Sequence, residues 1–366
     1  MTTQPGTSLP SLDGLLAWRE SSTSSEAIAA ALAGARNAAR PVQAVLGDAE
    51  QIVLTGAGSS YYLAGAVAAV ARDVTGRRFI AAPLSELLLR PAGVLARVAP
   101  ANQPVIVISR SGTTSEAVST VERMRGLGHP TIAVTCRADS PLARGADLTL
   151  VSPAGDEGAI VMTRSFASML ALLLRVLAPP GADLPPGADA TLAVDLDRVP
   201  ARWPEAAAAA AIGRRLGVTP WTRIVILGGG ASFWLATEWA LKLTETSQVP
   251  TNAYEPLEFR HGPISVCEPG VLVVGLIGGP GAREECLVVE EAAALGAATW
   301  VLARDVDEAA GAPGEVSLVG GGLHPSARLP LLVHPAHGLA LTLALTRGCD
   351  PDAPRHLGQV VILEPG

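Results

Sequence analysis

Lysine is nearly missing from this sequence. Of its 27 cationic side chains one is a lysine, Lys242, and the rest are arginines. The two cations differ physically: arginine is a wide, permanently charged fork, lysine a compact point charge with a tunable pKa. Aromatic residues are also scarce, at 4%. The core must therefore be aliphatic, which suits a parallel sheet covered by helices. Cationic residues form no stripe and the net charge is −7, which argues against nucleic acid as a partner. The four cysteines (Cys136, Cys267, Cys286, Cys349) lie far apart and form no CxxC. They read as buried thiols of a reducing cytoplasm, with no zinc site. The Met-Thr-Thr-Gln-Pro start has no charged n-region or apolar h-region, so no secretory signal is expected. No apolar run of about 20 residues is free of Gly, Pro or charge, so no membrane partner is expected. No metal cluster and no cofactor motif is visible, and no metal or cofactor is expected.

What is present is abundant apolar surface. With 49% hydrophobic and 17% charged residues, 366 positions suffice for two domains with a large core. The chain also repeats itself. Ile52-Val-Leu-Thr-Gly-Ala-Gly-Ser-Ser-Tyr-Tyr-Leu-Ala64 returns as Ile224-Val-Ile-Leu-Gly-Gly-Gly-Ala-Ser-Phe-Trp-Leu-Ala236. Each is an apolar strand, a Gly-rich turn with serine, and an apolar helix start. Val105–Ile108 and Val273–Ile277 begin a second matched pair, and Thr131–Thr135 and Ala298–Ala303 a third. A repeat this long means two copies of one domain. Each copy alternates strand and helix. The fold class is α/β: two tandem doubly wound parallel-sheet domains, each an α/β/α sandwich. The expected boundaries are an N-terminal helical arm over 1–45, a first domain over 46–180, a Pro/Gly/Asp/Ala-rich linker over 181–212, and a second domain over 213–366.

The two copies diverge where ligands bind such sheets, at the carboxyl ends of the strands. In the first copy Gly56-Ala-Gly-Ser-Ser60 and Ser109-Arg-Ser-Gly-Thr-Thr114 each open a helix. A helix N-terminus with free N–H groups binds phosphate, and Ser/Thr hydroxyls complete the cradle. Helix capping explains one serine per loop, but less well the pairs at both. Neither loop is a Walker A or a good dinucleotide fingerprint, which favours a monophosphate. The second copy has Gly278-Gly-Pro-Gly281 in place of Ser109-Arg-Ser-Gly and so loses its phosphate site. It offers instead Glu238, Lys242 and Glu245, spaced to share one helix face. Downstream lies Phe259-Arg-His-Gly-Pro263, where His261 is a loop histidine and a general acid/base candidate.

These segments together resemble the sugar isomerase (SIS) family of phosphosugar-binding domains, over essentially residues 46–366. Ser109–Thr114 resembles the family's Ser-x-Ser-Gly-x-Thr loop, and Phe259–Pro263 its Lys/Arg-His-Gly-Pro motif. The chain is similar to two groups: the isomerase half of glucosamine-6-phosphate synthase, and the amino-sugar-phosphate isomerase/deaminases. Ile52–Gly58, Val161-Met-Thr-Arg-Ser-Phe166 and Leu257–Pro263 lean toward the second group.

The resemblance implies a role for each site residue. Ser59, Ser60, Ser109, Ser111 and Thr114 would hold the substrate phosphate. Gly58, Arg110, Glu157, Val161, Thr163, Arg164, Glu238 and Gln359 would line the substrate. Glu245 would move a proton between C1 and C2, with Lys242 beside it. His261 would open the sugar ring, reaching in from the other subunit of a homodimer. The implied reaction is deamination and aldose–ketose isomerisation of glucosamine or galactosamine 6-phosphate. A fructosamine-6-phosphate deglycase or a plain phosphosugar isomerase is the alternative. A non-catalytic sugar-phosphate sensor fits less well, because Glu245 and His261 are both retained. The synthase has a glutaminase domain ahead of its sugar half and a Schiff-base lysine in its tail. Here about 45 residues precede the first copy, and the tail Pro354–Val361 has Gln359 or a neighbour at that position. Glutamine-driven synthesis is therefore not expected.

Overall fold

The computed structural model describes residues 9–177 and 191–360. The first copy contains β1 (Gln51–Gly56), β2 (Arg78–Pro83), β3 (Val105–Ile108), β4 (Thr131–Thr135) and β5 (Leu148–Val151). The second contains β6 (Arg223–Gly228), β7 (Thr251–Tyr254), β8 (Val271–Leu276), β9 (Ala298–Ala303) and β10 (Glu315–Leu318). The strand orders are β2-β1-β3-β4-β5 and β7-β6-β8-β9-β10, with every pairing parallel. The same topology occurs twice, and the fold is the expected tandem of α/β/α sandwiches. Central strands such as β1, β3 and β8 are buried along their whole length. That is why they read as continuous aliphatic runs instead of alternating ones.

Two helices precede the first sheet: α1 (Leu16–Ser22) and α2 (Ser24–Leu46). Within the first copy follow α3 (Ser59–Thr75), α4 (Leu84–Leu89), α5 (Ser115–Gly126), α6 (Pro141–Gly145) and α7 (Arg164–Leu177). The stretch expected as a linker is helical where described: α8 (Thr191–Arg198) and then α9 (Trp203–Gly217), which lies against the second copy. Residues 181–190 of that stretch lie outside the described residues. The second copy carries α10 (Ala231–Ser247), α11 (Pro256–Phe259), α12 (Ala282–Ala294) and α13 (Val333–Thr346).

The core does not respect the duplication. One apolar cluster joins Ile28 and Leu32 of α2, Leu63 of α3, Leu170 of α7, Leu235 and Trp239 of α10, and Leu339 of α13. Residues Leu329–Thr346 are long and apolar enough to cross a bilayer, but 89% of the stretch is buried in the protein. Its helical part packs against α9 and α10 as a core helix.

Both copies turn from first strand into first helix by the same device. Gly58 has φ 54° and ψ −127°, and Gly230 has φ 55° and ψ −121°. These left-side conformations favour glycine. The turn places the first residues of α3 and α10 at the carboxyl end of each sheet, where β1/β3 and β6/β8 lie side by side.

Candidate active site

The Ser/Thr loops of the first copy and one face of α10 enclose a cleft of about 230 Å³. Gly58, Ser59 and Ser60 form one wall, and Ser109, Arg110, Ser111 and Thr114 a second. Lys242 and Glu245 face them from the second copy. Ile160–Met162 and the tail residues 357–360 close the remaining sides. Residues separated by more than a hundred positions thus share one small volume.

The second loop is organised by its own hydroxyls. Thr113 donates to Ser111 Oγ from both its backbone N–H (3.2 Å) and its hydroxyl (3.0 Å). Gly112 N–H donates to Ser109 Oγ at 3.3 Å, and Ser109 Oγ lies 3.3 Å from Thr114 Oγ1. Gly112 has φ 63°, and a side chain there would also collide with Ser140. Substitution at this glycine would therefore disturb the cradle through both backbone and space.

Arg110 fastens this loop to the opposite wall. It donates to the carbonyls of Ala159 (2.9 Å), Ile160 (3.2 Å) and Gln359 (3.0 Å). It also pairs with Glu157 at 3.5 Å, and both side chains are buried. Glu157 accepts from Thr163 N–H at 2.9 Å and Thr163 Oγ1 at 2.5 Å, and from Ser165 Oγ. The Gln359 amide reaches back to the Glu157 carbonyl at 3.0 Å. From α1, Glu20 accepts the N–H groups of Gly158 (2.7 Å) and Ala159 (2.9 Å). The cleft wall is thus held by buried charge-assisted hydrogen bonds, which are the stronger kind.

On α10, Lys242 Nζ lies 2.5 Å from Glu245 Oε2 and 3.6 Å from Glu238 Oε1. Burial pushes Glu238 up to about 7, with Lys242 opposing that rise and Glu245 adding to it. For Lys242 burial works to lower the pKa, but the carboxylates of Glu238 and Glu245 outweigh it and the net direction is upward. At 3.6 Å the contact of Glu238 to Lys242 is long and chiefly electrostatic, and the Ser59 hydroxyl approaches the same carboxylate from the first copy. Glu245, at one end of the triplet, is the carboxylate of the three that reaches the cleft.

Not every residue expected at the site reaches it. Glu157 and Thr163 lie behind the wall, consumed by each other and by Arg110. Arg164 turns to the Asp156 carbonyl (3.0 Å) and Thr23 Oγ1 (3.0 Å). Glu238 is buried beneath Lys242. His261 sits on an exposed turn after α11, away from the cleft of its own chain. Its N–H is spent on the Glu258 carbonyl, and its neighbour Arg260 is paired with Glu291. Met162, within the expected Val161–Arg164 stretch, does line the cleft, and Glu116, Ile160, Leu357 and Val360 line it although nothing in the sequence signals them. Glu116 lies in the first turn of α5, where an acidic residue reads as an ordinary helix-dipole partner.

The SIS domain profile matches residues 45–178 and 218–311, one segment in each copy. The chain belongs to the SIS domain family. It is 33% identical over 272 residues to a glutamine–fructose-6-phosphate aminotransferase (isomerizing) of Pyrobaculum aerophilum, covering 71% of this chain and 43% of that protein. A 27% identical counterpart in Bacillus subtilis is covered to 53%. The chain thus spans about half the length of the curated relatives it matches. Among solved structures, the C-terminal domain of glucosamine-fructose-6-phosphate aminotransferase from Francisella tularensis superposes with a TM-score of 0.81 at 18% identity, over 94% of this chain and 100% of that one. Tagatose-6-phosphate ketose/aldose isomerase from Escherichia coli gives 0.79 at 23% identity, over 98% and 99%. Glucosamine-6-phosphate deaminase from Thermotoga maritima gives 0.73 at 24% identity, over 94% and 99%. At these identities the SIS likeness to solved structures is one of fold.

Proposed function

We propose that this SIS protein is a phosphosugar enzyme that converts an amino-sugar 6-phosphate to a ketose 6-phosphate and ammonia. One observation carries the reading. A single cleft joins the hydroxyl-lined loops of the first copy to the Lys242–Glu245 pair of the second. The loops supply neutral donors and the N-termini of α3 and α5, which suit a phosphate. The pair supplies a fixed carboxylate beside a compact cation, which suits proton transfer next to a developing oxyanion.

In this reading the phosphate sits among Ser59, Ser60, Ser109, Ser111 and Thr114. Glu245 takes the proton from C2 of the open aldose and delivers it to C1. The resulting C2 imine takes up water and releases ammonia, leaving the ketose. Lys242 fixes the Glu245 carboxylate and faces the substrate oxygens. His261 protonates the ring oxygen in the cleft of a second copy of the chain, since its own cleft is out of reach. The protein then works as a homodimer. The activities of two structural neighbours, a glucosamine-6-phosphate deaminase and a tagatose-6-phosphate ketose/aldose isomerase, support this class of substrate and leave plain isomerisation as the second reading. The tail supports release over synthesis through a Schiff base. Residues 357–360 carry no amine, and Gln359 is tied into the wall.

The test is ammonia release and ketose formation from glucosamine, galactosamine and fructosamine 6-phosphates. Ammonia release with ketose formation from glucosamine or galactosamine 6-phosphate supports the deaminase, and interconversion of nitrogen-free aldose and ketose 6-phosphates without turnover of the amino sugars selects the isomerase. Binding of these sugar phosphates without turnover of any overturns the enzyme reading.

A further inference from the structure

The second copy has its own cleft at the carboxyl end of its sheet. It measures about 650 Å³ and is lined by Gly229–Ser232, Gly278–Gly281, Glu255 and Glu285. Its turn has the backbone of the first cleft's turn, as Gly58 and Gly230 share φ and ψ. Conformation alone would let it hold an anion.

Its chemistry is inverted. Where the first copy has Ala57, the second has Gly229, 172 positions on. A Cβ at Gly229 would fall 2.1 Å from Glu285 Oε1 and 3.8 Å from Glu255 Oε2. Two carboxylates therefore converge on this turn, into space that a methyl group fills in the first copy. The loop N–H groups already have acceptors. Gly278 donates to Glu285 at 3.4 Å, Gly279 to Glu308 at 3.0 Å, and Gly230 to Glu255. Hydroxyls and N–H groups welcome phosphate in the first cleft, but carboxylates stand on the corresponding donors in the second.

We propose that Glu255 and Glu285 act as built-in acceptors that occupy the anion-binding turn of the second cleft and bar phosphate from it, so that each chain binds one phosphate-bearing ligand, in the first cleft. Burial and the mutual repulsion of the two groups fit this crowding, since burial first and then the Glu255 charge push Glu285 up to about 7. Gly229 is the enabling residue, because any side chain there would displace the Glu285 carboxylate.

The inference rests on the reading of the first cleft as the phosphate site, and the experiment separates the two. Binding of inorganic phosphate is counted by calorimetry on the wild type, Ser111→Ala, the double variant Glu255→Ala/Glu285→Ala, and the triple combination. One equivalent in the wild type, two in the double variant and one in the triple is the expected set. The first cleft serves as the internal check on folding, because its affinity must be unchanged in the double variant. A wild type that binds two equivalents overturns the inference, as does a folded double variant that still binds one. Failure of the first-cleft reading has a different signature: a wild type that binds none, or a Ser111→Ala protein that binds like wild type. Gly229→Ala, which expels Glu285 without removing its charge, should give the second equivalent with weaker affinity than the double variant. Wild-type stoichiometry there would show that Glu285 occupancy is not what closes the cleft.

Discussion

Lys242 Nζ and Glu245 Oε2 meet at 2.5 Å within one turn of α10, the lysine side chain 2% exposed and the glutamate 20%. The pair reaches from a sealed interior to the cleft. Lys242→Arg has to place a wider fork in that sealed space, and overpacking of this kind costs about 1–3 kcal/mol. We expect turnover to fall about tenfold or more, with a lower urea midpoint. Near-normal kcat in this variant would mean that charge alone is required. Lys242→Met leaves Glu238 buried without its cation, and loss of one partner of a buried pair costs about 3–5 kcal/mol.

Glu245→Gln should separate chemistry from binding. If Glu245 carries the C1/C2 proton, kcat falls about 10²–10⁴-fold. Phosphate affinity, read by calorimetry, should stay at the wild-type value. Equal loss of both would place Glu245 in the binding cradle instead.

Glu238 links stability to pH. Its folded pKa is raised to about 7 from an ordinary 4.5, chiefly by burial. Between these values the folded protein keeps a proton that the unfolded chain has released, so this group lowers stability as pH rises from 4.5 to 7. Glu238→Gln should remove that decline. Urea midpoints of wild type and variant across the interval should converge at pH 4.5 and diverge toward pH 7, with the variant higher.

A buried histidine pair has the opposite sign. Ser21 Oγ lies 2.7 Å from His334 Nδ1 and 2.8 Å from His337 Nδ1. Burial pulls His334 down to about 4; burial and then the neighbouring His334 pull His337 down to about 3. The unfolded chain therefore binds protons that the folded one refuses, and stability falls as pH drops below 6.5. His337→Gln should lose less thermal stability between pH 7 and pH 5 than wild type does. An equal loss in both proteins would remove His337 from the acid response.

Arg110→Ala should release the wall and the tail together. Glu157 would be left buried without its cation, at a cost of about 3–5 kcal/mol. Limited proteolysis should then cut the tail near residues 355–360 at protease levels that leave the wild type intact, and KM should rise more than kcat falls. Retained protection of the tail would show that Gln359 and its neighbours hold it unaided.

The duplication was legible because parallel strands buried on both faces leave continuous aliphatic runs, and because each Gly-rich turn repeats its spacing. Ser59, Ser111, Lys242 and Glu245 could be found for the same reason: hydroxyls and charges stand out in an Ala-Leu-Val background. What could not be read depends on distant partners. Nothing local tells that Arg110 spends its donors on carbonyls of the wall and tail, or that Glu157 and Arg164 are used up before reaching the cleft. Ile160 and Val360 look like ordinary core residues until the fold brings them to the cleft that Lys242 and Glu245 line. Gly229 was visible as a glycine, but its purpose needs Glu285, which arrives from the start of α12.

The apolar cluster that joins α2, α7, α10 and α13 makes the repeat indivisible. Residues of α7, such as Leu170 and Leu173, and of α13, such as Leu339 and Leu343, belong to one body of packed side chains. Either half produced alone would present that body as a bare greasy wall. The protein is therefore heir to a tandem copy whose two halves share one core cluster. The seam between the copies is where the hydroxyl-lined loops and the Lys242–Glu245 pair face each other.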